Sequence, residues 1–222
     1  MEIKICGLCR PEDAALAVSA GATHAGVVRV PGTPRWRPIE RARAVLDAAA
    51  GGRRVGVFAD AEPEMIRGEA ESLMLDVVQL HGDETPAEIV VLKEAGLEIW
   101  KVVKPADGRA VLDAATRYAA ADLLLLEGTS ARGRGGVGAR FDWAAVAAVR
   151  DRLPAGLRLG VAGGLWPGNV EEAVARLRPA LVDVSSGVEG WPGEKDAARV
   201  RDFVARARAA AGRLEATMAE ER

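Results

Sequence analysis

Ile3-Lys4-Ile5-Cys6-Gly7-Leu8-Cys9-Arg10-Pro11-Glu12 packs a strand, a turn and a helix start into ten residues. A short apolar strand delivers a thiol, Cys6, to its carboxyl end, and Gly7 turns the chain there. Pro11 then suits the first turn of a helix, where no amide donor is needed. Parallel α/β folds place their chemistry at the carboxyl ends of strands, so Cys6 is a candidate base or nucleophile. The same stretch separates two architectures. A doubly wound open sheet carries a Gly-rich dinucleotide loop after its first strand, and Cys6-Gly7-Leu8-Cys9 is not one.

Outward from this unit the pattern repeats. Nearly continuous apolar runs stand at Ile3–Cys6, Ala25–Val30, Arg54–Phe58, Val77–Leu80, Ile99–Val103, Leu123–Leu126, Leu159–Ala162 and Leu181–Val184. Strands buried on both faces read this way. Between and after them lie Ala-rich segments of helical period: Ala14–Ala20, Ile39–Ala50, Pro63–Ala70, Pro86–Ala95, Gly108–Ala119, Trp143–Arg152, Gly168–Leu177 and Asp196–Ala210. Strict alternation over this length predicts an α/β fold, a single (β/α)8 TIM barrel, spanning residues 1–213. The charged segment 214–222 lies past the last helix face and is expected to fray.

Composition narrows the function classes. The chain has 222 residues and a net charge of −2 with mixed signs, which gives no basis for a nucleic-acid or acidic-membrane partner. Its two cysteines, Cys6 and Cys9, straddle a strand end and a turn without a thioredoxin pattern behind them; they read as reduced thiols. No apolar run reaches membrane-span length, and Met1 leads straight into a strand, so a cytoplasmic protein is expected. Whether it is a monomer or a homodimer is not written in the sequence.

In a barrel, the residues just after each strand share one rim. That rim collects Cys6 and Gly7; Pro31 to Arg35; Asp60; His81-Gly82-Asp83; Lys104; Glu127 with the loop Gly128–Gly138; Gly163-Gly164; and Ser185-Ser186-Gly187. The last two loops carry the clearest signal. Their glycines allow close backbone approach, and the chain after Ser186 is suited to a short helix whose amides point at an anion. Barrel phosphate sites are commonly built after strands seven and eight, so Gly163, Gly164, Ser185, Ser186 and Gly187 are read as phosphate-binding and the ligand as a small phosphorylated molecule.

Six blocks occur in order: Lys4-Ile5-Cys6-Gly7-Leu8, Val55-Gly56-Val57-Phe58, Val78-Gln79-Leu80-His81-Gly82-Asp83-Glu84, Phe141-Asp142-Trp143, Ala162-Gly163-Gly164-Leu165, and Asp183-Val184-Ser185-Ser186-Gly187-Val188-Glu189 followed by Gly193 and Lys195. Together they resemble the phosphoribosylanthranilate isomerase family. The resemblance implies a (β/α)8 barrel of tryptophan biosynthesis. It further implies an Amadori rearrangement of N-(5-phosphoribosyl)anthranilate without metal or cofactor: an acid protonates the ribose ring oxygen, and a base then removes the C2′ proton. By this resemblance Cys6 is the base. Arg35 holds the anthranilate carboxylate, as a guanidinium fork suits. Asp183 hydrogen-bonds the substrate near the reacting centre, and His81 points into the mouth. The competing structural readings are a buried inert thiol, a solvated loop arginine, a helix cap and a satisfied core histidine.

Departures from the family fall on the rim. The family's acid is an aspartate after strand six, where this chain has Glu127, one methylene longer. Arg29-Val30 replaces an aromatic-rich strand end, Gly32 a loop lysine, Cys9 a threonine, and Gly138-Ala139-Arg140 a Gly-Lys-Thr. If Arg29 points to the mouth it adds a cation there; if outward, it faces the helix layer and needs a partner. These changes keep two alternatives open: a paralogue acting on a different phosphorylated sugar adduct, and a non-catalytic phosphate-ligand-binding barrel.

Overall fold

Eight parallel strands pair in sequence order, and the last returns to the first to close a barrel. A computed structural model describes residues 1–128 and 143–220. The strands are β1 (Glu2–Ile5), β2 (His24–Val28), β3 (Arg53–Phe58), β4 (Val77–Leu80), β5 (Glu98–Val103), β6 (Leu123–Glu127), β7 (Arg158–Ala162) and β8 (Leu181–Val184). The helices are α1 (Pro11–Ser19), α2 (Ile39–Ala48), α3 (Pro63–Leu73), α4 (Pro86–Glu94), α5 (Gly108–Arg117), α6 (Trp143–Ala147), α7 (Val170–Leu177) and α8 (Ala197–Glu220). Pro11, Pro63 and Pro86 open three of them, and Thr85 closes a capping box with Glu88 on α4.

Strand alternation divides the apolar residues into two cores. Val55, Val77, Trp100, Val102, Leu123, Leu125, Ala162 and Leu181 fill the barrel interior. The intervening residues, such as Ile5, Phe58, Leu80, Leu124 and Leu126, pack against the helix ring. At the amino end, Arg53 and Arg158 bridge to Glu98 at 2.6 and 3.3 Å, and Arg158 also reaches Glu2. The buried His24 ring lies 5.1 Å from Trp100 above them. This end is sealed by packing and ion pairs, which leaves the carboxyl rim for chemistry.

Three expectations change. The helix read over Trp143–Arg152 breaks into α6 and a 3-10 turn at Arg150–Arg152. A small antiparallel hairpin, β9 (Glu189–Trp191) with β10 (Glu194–Lys195), was not anticipated after β8. The last helix, read over Asp196–Ala210, runs on as α8 to Glu220, with Leu214 packed on the core and Arg213 bridging Glu171 at 2.9 Å. The loop from residue 129, Gly138-Ala139-Arg140 and Phe141-Asp142 lie outside the described residues.

Candidate active site

Cys6 follows β1 directly and shares its inward face with Lys4, two residues back. Parallel register sets Lys4 beside Asp183 of β8, and Lys4 Nζ donates to Asp183 Oδ2 at 2.9 Å. Gly26 makes the room: a Cβ there would stand 2.8 Å from Lys4 Cε and 3.2 Å from Cys6 Sγ. Burial works against the Lys4 charge, but Asp183 and the Cys6 thiol more than offset it, so the ammonium is held above its ordinary range. Burial pushes the Cys6 thiol up, and Lys4 pulls it back without winning. Asp183 Oδ1 is buried and, among the described residues, has no hydrogen-bond partner. Buried acceptors left open are uncommon, and a substrate donor is one way to satisfy them.

Across the mouth, His81 Nε2 lies 2.9 Å from Glu127 Oε2, with Lys104 Nζ 3.6 Å from the same oxygen. Burial alone would raise the Glu127 carboxyl, but His81 and Lys104 outweigh it and hold the group below its ordinary value. His81 is fixed from behind. Its amide donates to Phe58 O at 2.7 Å. Glu84 Oε1 accepts from the Asp60 and Gly82 amides at 3.1 and 3.0 Å, while Lys101 Nζ holds Glu84 Oε2 at 2.9 Å and Gly82 O at 2.6 Å. Sequence placed His81 at the mouth; the charged pair beneath its loop was not foreseen.

Arg35 reaches the rim but not as a free fork. Its Nε and Nη2 donate to the two carboxylate oxygens of Glu189 at 2.8 and 2.6 Å. Lys195 Nζ joins Glu189 Oε1 at 2.9 Å and donates to Ser185 O at 3.1 Å. Gly7, at φ +68°, lets the arginine lie over the first turn, since a Cβ would fall 2.4 Å from Arg35 Cδ.

Gly163 and Gly164 both take positive φ, 75° and 68°. Ser186–Val188 forms a single short 3-10 turn after β8. Gly187 meets the neighbouring loop so closely that a Cβ would lie 1.9 Å from Leu165 O. The two loops read as phosphate-binding are thus in direct backbone contact.

Arg29 points outward. It pairs bidentately with Glu69 of α3 at 2.6 and 3.0 Å and also donates to Arg37 O, so it adds no cation to the mouth and instead anchors the loop that carries Arg35. Cys9 is a buried free thiol whose Sγ contacts Arg35 O at 3.5 Å. Glu189, Lys195 and Lys4 were not assigned roles from sequence. Lys4 was accessible by strand alternation from Cys6, whereas the Glu189 contacts depend on the unforeseen hairpin.

A closed (β/α)8 barrel whose carboxyl rim gathers a thiol, a histidine–carboxylate pair and glycine-built loops has the architecture of the barrel enzymes, whose active sites lie at that rim. The family model described as N-(5′-phosphoribosyl)anthranilate (PRA) isomerase matches residues 3–206. The N-(5′-phosphoribosyl)anthranilate isomerase of Rubrobacter xylanophilus is 40% identical over 208 residues, 93% of this chain and 98% of that one. The Geobacter sp. enzyme of the same name is 39% identical over equal coverage. The crystal structure of the Thermotoga maritima phosphoribosyl anthranilate isomerase superposes with a TM-score of 0.85 at 36% identity, covering 94% of this chain and 99% of that one. The chain belongs to the phosphoribosylanthranilate isomerase family, the isomerases of tryptophan biosynthesis.

Proposed function

We propose that this isomerase carries out the Amadori rearrangement of N-(5-phosphoribosyl)anthranilate with Cys6 as general base and Glu127, backed by His81, as general acid. The observation that carries the assignment is the placement of an ionisable thiol and a carboxylate at the ends of different strands on one rim, each with its own proton-handling partner. Lys4 stands by Cys6 and offsets part of the burial that raises its thiol, so it is the cation beside the thiolate when that forms, and His81 stands by Glu127. A family structure with 34% identity and a TM-score of 0.82 is a complex with reduced 1-(o-carboxyphenylamino)-1-deoxyribulose 5-phosphate, which supports the same substrate frame here.

In this reading the phosphate rests on the backbone of Gly163, Gly164 and Ser185–Gly187. The Arg35 edge not engaged by Glu189 takes the anthranilate carboxylate. Asp183 Oδ1 accepts from a hydroxyl or amine near the reacting carbons. The Glu127–His81 pair, holding a proton between His81 Nε2 and Glu127 Oε2, delivers it to the ribose ring oxygen as the bond from that oxygen to C1′ breaks, giving a Schiff base. Cys6 thiolate then removes the C2′ proton; that electron pair forms the C1′–C2′ double bond while the C1′–nitrogen π pair returns to nitrogen, giving an enolamine, and protonation at C1′ with loss of the C2′ hydroxyl proton yields the ketone. Each positioned transfer is worth about 10²–10⁴ in rate.

Glu127 is the last residue of β6, opposite Ala162 of β7, and its carboxylate is held 2.9 Å from His81 Nε2. The experiment is turnover of freshly generated phosphoribosylanthranilate by wild type and Glu127→Gln. Conversion by wild type and a loss of about 10²-fold or more in the folded variant are expected. Unchanged turnover in Glu127→Gln refutes the acid assignment, and no turnover by wild type refutes the reaction.

A further inference from the structure

Glu189 has no part in the proton transfers above, yet it is heavily engaged at the rim. It sits on β9, in the hairpin after β8, and is buried. Three charge-assisted hydrogen bonds converge on it, two from Arg35 and one from Lys195. Burial disfavours its charge, but these two cations hold its carboxyl below the ordinary range. Through Lys195 the network reaches Ser185 O in the loop read as phosphate-binding. Two basic groups around one carboxylate leave the cluster with a net positive charge at the mouth.

A guanidinium has two bidentate edges. Glu189 engages the Nε–Nη2 edge, so the Nη1–Nη2 edge is the one set toward a ligand. Without Glu189 the arginine would be a half-exposed side chain with many rotamers, and ordering it would be charged against substrate binding. Gly7 leaves room for the Arg35 side chain to lie over the first turn, and the Arg29 anchor on Arg37 O holds the backbone of the same loop. We propose that Glu189 is a positioning residue that fixes the outward edge of Arg35 for the substrate's aryl carboxylate and couples it, through Lys195, to the Ser185 loop. This rests on the reading of Arg35 given above.

The test compares wild type, Glu189→Gln, Arg35→Ala and the double variant, reading KM and kcat in turnover and, separately, the affinity for anthranilate from its own fluorescence. Glu189→Gln should raise KM by about tenfold, the size of one charge-assisted hydrogen bond, with kcat within about threefold, and should weaken anthranilate binding similarly. In the Arg35→Ala background the same substitution should change neither. A fall in KM would mean that Glu189 competes with the substrate for Arg35 and overturns the proposal. So would an equal effect in both backgrounds, or a defect confined to kcat. Should Glu189→Gln fail to fold, Glu189→Asp keeps the charge but withdraws it from the guanidinium and must give the same KM-selective defect. The anthranilate readout requires no turnover, so failure of the catalytic assignment and failure of this proposal are told apart.

Discussion

Replacing Lys101 by methionine removes the ammonium that holds Glu84 beneath the His81 loop. Both side chains are 2% exposed, so water does not take over for the lost partner. Glu84 keeps the Asp60 and Gly82 amides at 3.1 and 3.0 Å, but its second oxygen loses the 2.9 Å contact, and Gly82 O loses its 2.6 Å donor. Breaking a buried ion pair from one side costs about 3–5 kcal/mol. For a domain of this size each kcal/mol moves Tm by about 2–4 °C, so a fall of roughly 6–20 °C is expected. Urea unfolding followed by tryptophan fluorescence should show a lower midpoint at unchanged slope. The double variant Lys101→Met with Glu84→Gln keeps an acceptor for both amides without the stranded charge and should recover more than half of the loss. A single-variant cost below about 1 kcal/mol, or a double variant equal to the sum of the singles, would refute the reasoning.

His24 is buried with its charged form disfavoured by burial and by Arg53 and Lys4, and its pKa is lowered from 6.5 to about 4. The unfolded chain therefore binds more protons between those values, and stability should fall as pH drops through that window by on the order of 3 kcal/mol; His24→Leu should flatten this slope, and an unchanged slope would remove His24 as its source. The Cys6 thiol, read as the difference in thiolate ultraviolet absorbance between wild type and Cys6→Ala, should titrate above the ordinary value of about 8.5, and Lys4→Met should raise it further. Titration well below that value would contradict the dominance of burial. Gly187→Ala forces a methyl toward Leu165 O at 1.9 Å and should weaken binding of inorganic phosphate, measured by calorimetry, by about tenfold; an unaltered affinity would place the anion elsewhere.

The barrel was legible because its signals are local. Buried parallel strands announce themselves as apolar runs, and a strand end followed by Gly or Pro marks the turn toward a helix, as at Cys6-Gly7 and Pro11. His81 and Glu127 could be placed on the rim by counting strands, and the structure brings them within 2.9 Å. What sequence withheld were the charge partners, because those come from remote segments. Arg35 and Glu189 lie 154 positions apart, and Lys4 and Asp183 are 179 apart. The orientation of Arg29 was ambiguous for the same reason: alternation gave two faces, and only Glu69 on α3 identifies the outward one. The hairpin β9–β10 escaped because its strands are three and two residues long, too short for a period-two pattern.

In the proposed rearrangement a proton leaves C2′ to Cys6. Decay of the fluorescence of freshly generated phosphoribosylanthranilate, followed with wild type and Cys6→Ala at equal concentration, tests it most directly. Rapid decay is expected with wild type, and a loss of about 10²-fold or more in a Cys6→Ala protein that still folds and still binds phosphate. Decay at the wild-type rate in Cys6→Ala would contradict it.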